Sequence, residues 1–494
     1  MDIQKEFAAL SRGCKVFSKT VDVEGDYQES LPAFLDDVYR VVKCVAHSFV
    51  TSADISFNEL KVFGKTEICV TYYNENSCLC YADFEEEFTK SFTLDNVSQD
   101  AVIRACASDK YTSFRVINQR RIDIHNIVSL HISVYEKSEC EYISSLENSR
   151  LKTVAIESAD IVRTHIDKID FDEELTLSQD AKPIGRIISA FAYPSNIETK
   201  IIKDKMLLKA SVNAKLLYSA DGEDSIEKTQ YSFAVSKIIE IGGIEDDDIP
   251  VIDVQSGALF FKVKGSSNDK MTLVNLFGDI AINLTFVRRS SADIVTDGYL
   301  IGASSECNYT EVSVNGTGNA VDEVRSVSVP LEFNGDINDI KELSLSLLAP
   351  VIKNGAINQT VCANALISNE DGLSTLSADT DFEITLPDAE DGIVATGIED
   401  YDFTLSDSGR VDLRLSLRIS AYTFSNSNIS LLSDITLGEE LNNSHTLTVY
   451  FGKKNENLWD IAKRYCSDEA EIIKENSLNS SVLDTDRILI IPKA

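Results

Sequence analysis

The sequence predicts a mainly β protein in which three tandem antiparallel β domains precede a small C-terminal domain of the order βααβ. Three observations lead to this fold class. Long segments alternate apolar and polar residues, these segments recur in the same order three times, and the end of the chain changes to the helical period. A chain of 494 residues is long enough for three or four domains that each bury a core. We predict β domains at residues 1–155, 156–300 and 301–435, a linker at 436–445 and the last domain at 446–494.

The central strand of each β domain carries the clearest repeat. Apolar or small residues alternate with other residues over 62–72 in the first domain and over 208–218 in the second, which is typical of a half-buried strand. The turns that follow contain residues that tolerate a positive φ, namely Asn74-Glu75-Asn76, Asp221-Gly222 and, in the third domain, Asp371-Gly372. We therefore expect a hairpin at the same place in every domain.

Two further segments indicate a repeat. A closing strand with one apolar face occurs at residues 128–134, 280–286 and 411–419, so one side of each strand should pack while the other meets water. The pentapeptide Ser-Ala-Asp-Ile-Val occurs at residues 158–162 and again at 291–295. We expect its two copies to occupy equivalent positions in neighbouring repeats.

Helix signals define the C-terminal domain. Asn457 is placed to cap a first helix, and the apolar stripe of that helix has the spacing i, i+3, i+4, i+7 in Leu458, Ile461, Ala462 and Tyr465. Asp468 is placed to cap a second helix, in which Ile473 faces the core. The closing strand covers residues 487–491 and includes Ile490.

This C-terminal segment resembles a LysM domain. The resemblance rests on Leu458–Tyr465, on Glu471–Ile473 with Asn476 and Leu478, and on Ile488–Pro492. It implies a groove for N-acetylglucosamine-containing glycans between the loop before the first helix and the loop before the last strand. Residues 452–457 lack the usual Gly-Asp-Thr-like stretch, and residues 484–486 lack the usual Pro-Gly turn. Both departures argue against glycan as the main ligand, and glycan binding stays an alternative.

The β part followed by this domain resembles the SipL-like, SPOCS-domain family of spore coat morphogenetic proteins. The supporting segments are residues 179–184 leading into 187–188, then 230–233, with Asp381-Phe382 and Glu87-Phe88 in matching places. The resemblance implies a non-enzymatic scaffold in the mother-cell cytoplasm that gathers on the forespore surface and in the spore coat. It also implies that the LysM domain binds a basement-layer ATPase of the coat, beside other coat proteins.

Composition limits the classes of partner. The 80 acidic and 46 basic residues give a net charge of −34, which disfavours binding to nucleic acid and to anionic membranes. The sequence shows neither a twenty-residue apolar span for membrane insertion nor an export signal, so we expect a cytoplasmic protein. A LysM domain in that compartment should meet a protein rather than a cell-wall glycan. The ten cysteines are then expected to be reduced thiols.

The predicted partner-binding residues are Trp459, Lys463, Asn457 and Asp486. We expect Trp459 and Lys463 to be exposed or half-exposed on the first helix. Trp459 either packs on its own domain or anchors an interface, where tryptophan is enriched, and both roles are compatible. Residues expected to support the LysM fold are Leu458, Ile461, Ala462, Tyr465, Ile473 and Ile490.

Signals for catalysis, cofactors and metals are weak. Gly64-Lys65-Thr66 resembles the end of a phosphate-binding loop, but it lies in a predicted strand and lacks the first glycine. His125 and His131 share a polar strand face without a third ligand. We therefore predict no enzyme, no cofactor and no metal. Two functions remain: a coat scaffold with possible self-association, or a peptidoglycan-binding protein of the cell wall or spore cortex.

Overall fold

The computed structural model describes residues 4–493 except 179, 223–224, 266–270, 336, 338, 370–371, 388, 390, 407–409 and 441–447. Most of these residues lie in antiparallel strands, and the two helices in the described part are short and close to the C-terminus. The predicted mainly β class with a βααβ end is confirmed. Neither described helix has the length and apolar character needed to cross a membrane.

The first repeat consists of two three-stranded sheets. Strands β2, β3 and β4 form a meander, and the long strand β6 pairs with both β1 and β5. The sheets face each other across a core that includes Leu60, Val62, Leu130 and Ile132. The strands are β1 (Lys5–Ser30), β2 (Arg40–Ser56), β3 (Glu59–Tyr73), β4 (Leu79–Thr93), β5 (Val102–Asn118) and β6 (Arg121–Leu146).

The second repeat has the same order and pairing. Strands β8, β9 and β10 form the meander, and β12 pairs with both β7 and β11. Its core includes Leu208, Val212, Ile282 and Leu284. The strands are β7 (Ser149–Thr176), β8 (Ile184–Ile202), β9 (Lys205–Ala220), β10 (Ile226–Glu240), β11 (Ile249–Gly265) and β12 (Met271–Leu300).

Two strands of the third repeat are interrupted where the other repeats have continuous strands. Its opening strand is divided into β13 and β14, both paired with β20, and the strand before the central β17 is divided into β15 and β16. The strands are β13 (Ala303–Gly316), β14 (Ala320–Leu331), β15 (Ile340–Leu347), β16 (Val351–Lys353), β17 (Ala356–Asn369), β18 (Gly372–Thr385), β19 (Asp391–Leu405) and β20 (Val411–Glu440). We call the three repeats together the β body.

The predicted central and closing strands lie at equivalent places in the repeats. Residues 62–72 and 208–218 fall in β3 and β9, and the closing segments fall in β6, β12 and β20. The expectation for the pentapeptide is wrong. Its copies lie on β7 and β12, which pair with each other, so that Ser158 lies opposite Ser290 within one repeat.

Strand ends differ from the predicted domain limits. Strand β7 begins at Ser149 and runs past residue 155, and β20 continues to Glu440 through part of the predicted linker. The remainder of that linker, residues 441–445, lies outside the described residues. The differences arise because the long paired strands extend beyond the point where the apolar alternation restarts. Independent folding of the three repeats stays a prediction.

Three apolar clusters are shared by all three repeats. The first lies where the meanders meet, the second where the long strands cross, and the third near the ends of those strands. Burying apolar surface between repeats stabilises their association. Representative members are Val42, Ile188 and Leu366 in the first cluster, Tyr135, Val287 and Tyr422 in the second, and Ile143, Val295 and Leu431 in the third.

A buried polar triad joins the repeats where the meanders meet. Each repeat has a register shift directly before one position, which is Lys43 in β2, Ser189 in β8 and Glu342 in β15. The Lys43 ammonium donates to Glu342 Oε1 at 2.8 Å and to Ser189 Oγ at 3.2 Å. Ser189 Oγ in turn donates to Glu342 Oε1 at 3.1 Å. A bulge redirects nearby side chains, and here the equivalent positions of all three repeats contact one another.

The C-terminal domain has the predicted element order. Asn457 caps the first helix by accepting from Trp459 N at 3.0 Å, and Asp468 caps the second by accepting from Ala470 N at 3.0 Å. Strands β21 and β22 pair antiparallel. The elements are β21 (Thr448–Gly452), α1 (Leu458–Tyr465), α2 (Glu469–Glu475) and β22 (Arg487–Ile491).

Candidate interaction site

The inner face of α1 is fixed by the core of the C-terminal domain. Leu458, Ile461 and Ala462 are buried, as their i, i+3, i+4 spacing requires. Tyr465 is partly buried and makes an edge-to-face contact with Tyr450, with 5.7 Å between ring centroids. This packing determines which side chains α1 presents to its surroundings.

The closing strand β22 buries two side chains in the LysM core, and neither is the predicted Ile490. Leu489 and Ile491 are buried, whereas Ile490 between them is only partly buried and points to the other side of β22. The backbone of Ile490 still supports the fold, because its N–H donates to Asn476 Oδ1 and its carbonyl accepts from Asn476 Nδ2, both at 2.7 Å. Ile473 is partly buried against the same core.

Trp459 is buried against the second β repeat. Its indole N–H donates to Asp297 Oδ2 at 2.8 Å, and its ring meets the edge of Tyr299 at a centroid distance of 5.1 Å. Only 8% of the residue is exposed. The expectation of an exposed or half-exposed Trp459 is therefore wrong, because β12 covers the ring. Sequence periodicity within α1 carries no information about a neighbour 162 positions away.

Lys463 lies one helical turn further along α1 and reaches the same carboxylate. Its ammonium donates to Asp297 Oδ1 and contacts Tyr309 Oη at 3.3 Å, while Tyr309 donates to Asp297 Oδ1 at 2.7 Å. Burial by itself raises the pKa of Asp297, but hydrogen bonds from Lys463, Tyr309 and Trp459 outweigh burial and hold that pKa below its ordinary value. The carboxylate is thus kept ionised at the contact.

A second contact lies beside the first. Arg150 on β7 pairs with Asp468, the N-cap residue of α2, and its Nε donates to Asp468 Oδ1 at 3.2 Å. The backbone N–H of Gly302 donates to the carbonyl of Cys466 at 2.8 Å. We call these contacts the clasp, formed by Arg150, Asp297, Tyr299, Gly302 and Tyr309 of the β body with Trp459, Lys463, Cys466 and Asp468.

The other two predicted partner-binding residues lie away from these contacts. Asn457 uses its side-chain oxygen to cap α1. Asp486 is exposed, and its Oδ1 accepts from Lys454 N at 2.7 Å, which ties the loop before β22 to the loop before α1. The structure therefore brings Trp459 and Lys463 together, while Asp486 links the two loops where the family resemblance places a glycan groove.

Another surface of the LysM domain is apolar and exposed. Phe451 and Ile488 lie opposite each other on β21 and β22, with 72% and 58% of each residue exposed. Val449 and Val482 are exposed on the same domain. Leu489 and Ile491 are the inward positions of β22, so Ile488 and Ile490 lie on its other side.

A cavity of about 230 Å³ lies between the three repeats. Its lining includes His47 and Asp109, Phe191 and Tyr193, and Ser346 and Tyr401, one pair from each repeat. Asp109 is already held by Ser48, whose N–H and hydroxyl donate at 2.6 Å each. Within the described part of the chain, no group of three His, Cys, Asp or Glu side chains could hold a metal ion.

Comparison with known families addresses the sequence resemblance directly. A family described as SipL, SPOCS domain, matches residues 183–264, which cover the meander of the second repeat and most of β11. A second family, the LysM domain, matches residues 453–492. The chain carries a SPOCS domain followed by a LysM domain. The predicted resemblance is confirmed, and no curated protein or solved structure matches the chain.

These domains bear on the class of function. SPOCS and LysM are non-catalytic binding or scaffold domains, and together they fit a sporulation protein associated with the spore coat. A LysM domain also suggests glycan binding. The first and third repeats share the strand order of the matched SPOCS segment and the register shift before the triad position.

Proposed function

We propose that the protein is a non-enzymatic morphogenetic scaffold of the spore coat, acting in the mother-cell cytoplasm and at the forespore surface. Its LysM domain binds a basement-layer ATPase of the coat, and the β body carries further contacts to coat proteins or to other copies of itself. The SPOCS and LysM matches support the coat assignment. The ATPase is what the family resemblance implies for the LysM partner.

The hydrogen bond between the two LysM loops favours a protein partner over a glycan. A glycan in the groove of this family would lie between the loops before α1 and before β22. Here the Lys454 amide already donates to Asp486, and Asn455 N donates to the carbonyl of Leu483 at 2.8 Å. Backbone groups that are already paired offer less to a sugar hydroxyl. The loops also lack the sequences that are usual for the family.

A two-arm binding experiment tests the proposal. The purified full chain is titrated with the purified coat ATPase, and in parallel it is sedimented with purified peptidoglycan. We expect saturable binding to the ATPase and no retention by peptidoglycan. If Trp459 is an interface anchor, Trp459→Ala should lose affinity for the ATPase. Asp293→Ala changes an exposed β12 position outside the clasp and should bind normally. Failure to bind the ATPase both by the wild-type chain and by Asp297→Ala, which removes the carboxylate that holds Trp459, would refute the proposed partner.

Glycan binding is the second candidate function, because the LysM match itself favours it. In that case, the wild-type chain sediments with peptidoglycan and N-acetylglucosamine oligomers release it. Asp486→Ala would then strengthen retention by peptidoglycan, because it frees the Lys454 amide at the groove. Retention by peptidoglycan without ATPase binding would replace the scaffold proposal with a role at the cell wall or spore cortex.

A further inference from the structure

The clasp covers the helix face that we propose for partner contact. We infer that the clasp is an autoinhibitory contact, in which the β body and the protein partner compete for Trp459 and Lys463 of the LysM domain. Partner binding then requires the LysM domain to leave the β body. The inference rests on the proposed function, because it concerns regulation of the same LysM surface.

Competition follows from how the two side chains are used. The Trp459 indole and the Lys463 ammonium both donate to the carboxylate of Asp297, and Tyr299 covers the indole ring. A protein that contacts this ring must first displace Asp297 and Tyr299. Tryptophan is enriched among the residues that dominate protein interfaces, so the face held in the clasp is also suited to an outside partner.

The LysM domain keeps its own core when the clasp opens. Leu458, Ile472 and Leu489 are packed by residues of the LysM domain, and Tyr299 is the buried residue that the β body adds to this cluster. The Arg150–Asp468 pair is partly solvent-exposed on the arginine side, and exposed ion pairs contribute little to stability. The β body therefore adds to the LysM domain the Asp297 carboxylate, the side chains of Tyr299 and Ile301, and a backbone hydrogen bond from Gly302, while the LysM core is packed by its own residues.

The size of the effect follows from the closed population. When only a fraction of molecules is competent to bind, the apparent Kd is weaker by the reciprocal of that fraction. A clasp closed in about nine of ten molecules weakens apparent partner affinity about tenfold. A change in the β body that opens the clasp should therefore strengthen binding, although the changed residue never touches the partner.

Asp297→Ala in the full chain tests whether opening the clasp strengthens partner binding. Trp459 is the single tryptophan, so the emission maximum of the protein reports whether the clasp is open. We expect a shift to longer wavelength and an affinity for the purified coat ATPase that rises severalfold, up to about tenfold. Asp293→Ala, on the same strand but outside the clasp, should leave emission and affinity unchanged.

Each other result has a distinct meaning. A red-shifted Asp297→Ala chain with unchanged or weaker ATPase affinity overturns the competition, while wild-type binding preserves the proposed function. An unshifted emission overturns the role of Asp297 in holding the clasp. Absence of ATPase binding by the wild type and by the open variant overturns both the proposed function and the inference.

A second variant guards against misfolding of the first. Arg150→Ala removes the ion pair with Asp468 and a hydrogen bond to the adjacent Ser149 carbonyl, at a side chain that is 44% exposed. The expected change in affinity has the same sign as for Asp297→Ala and is smaller. A loss of affinity in both variants, with circular dichroism like that of the wild type, would contradict an autoinhibitory clasp.

Discussion

Replacing Lys43 with methionine should strongly destabilise the β body. Lys43 and Glu342 are the charged members of the triad, with only 6% and 8% of their side chains exposed. The substitution keeps an unbranched side chain that reaches as far as the Lys43 Cε position but removes the ammonium that balances the Glu342 carboxylate. Breaking a buried ion pair from one side costs about 3–5 kcal/mol, because an uncompensated charge remains in the interior. The Ser189 and Ser344 hydroxyls contact the same Oε1 and cannot replace the lost charge.

Urea unfolding followed by circular dichroism measures this effect. We expect Lys43→Met to lower the midpoint with little change in slope, corresponding to a loss of about 3–5 kcal/mol. The double variant Lys43→Met/Glu342→Leu should recover most of the loss, because replacing both charges with apolar groups is often neutral. Lys264→Met removes an exposed ion pair with Glu174 and should change stability by less than about 1 kcal/mol. An unchanged midpoint for Lys43→Met would refute the convergence of the three repeats at this triad.

Further predictions concern the LysM domain, the clasp and the connections between repeats. Ile461→Ala should destabilise the LysM domain by about 2–5 kcal/mol through a cavity in a small core, and a separate loss of LysM structure on heating would show it. Trp459→Ala made in the Asp297→Ala background, where the clasp is already open, should weaken ATPase binding by about 2 kcal/mol or more while the domain stays folded, which calorimetry with circular dichroism can measure; no loss of affinity relative to Asp297→Ala alone would exclude an anchor role. Acid should open the clasp, because docking lowers the pKa of Asp297. Ionised Asp297 stabilises the docked state fully above the ordinary aspartate pKa, and this stabilisation is lost as pH falls through the lower pKa of the docked state. Tryptophan emission should therefore shift to longer wavelength at strongly acidic pH, and Asp297→Ala should abolish that transition. Limited proteolysis should first cut the exposed turn at 147–148, between the long strands β6 and β7 of successive repeats. The fragments should remain associated in gel filtration because the repeats share three apolar clusters, and rapid separation would contradict that packing.

Local patterns predicted the elements of this fold well. Alternation located the central strands β3 and β9. The capping pattern located Asn457 and Asp468, whose side chains accept hydrogen bonds from backbone amides in the first turns of the two helices. These features depend on neighbours within a few residues, which a sequence displays directly. The choice of Ile490 over Leu489 and Ile491 failed because both faces of β22 are apolar, and a strand that is apolar on both faces does not show which face is inward.

Contacts between distant residues were beyond sequence reasoning. The triad depends on three bulges that bring Lys43, Ser189 and Glu342 together, and alternation does not reveal a bulge. The burial of Trp459 likewise depends on Asp297, which sequence analysis did not single out. A lone tryptophan beside a lysine one turn later on a helix did mark the right surface, but it could not show that the β body already covers that surface.

Quenching of the single tryptophan by acrylamide tests the docked position of the LysM domain most directly. In the native full chain, Trp459 is 8% exposed and its indole N–H is bonded to Asp297. We predict weak quenching in the wild type, strong quenching in Asp297→Ala with the LysM helices retained, and weak quenching in Asp293→Ala. A native wild-type tryptophan that acrylamide quenches as readily as a free indole would contradict the clasp and every consequence drawn from it.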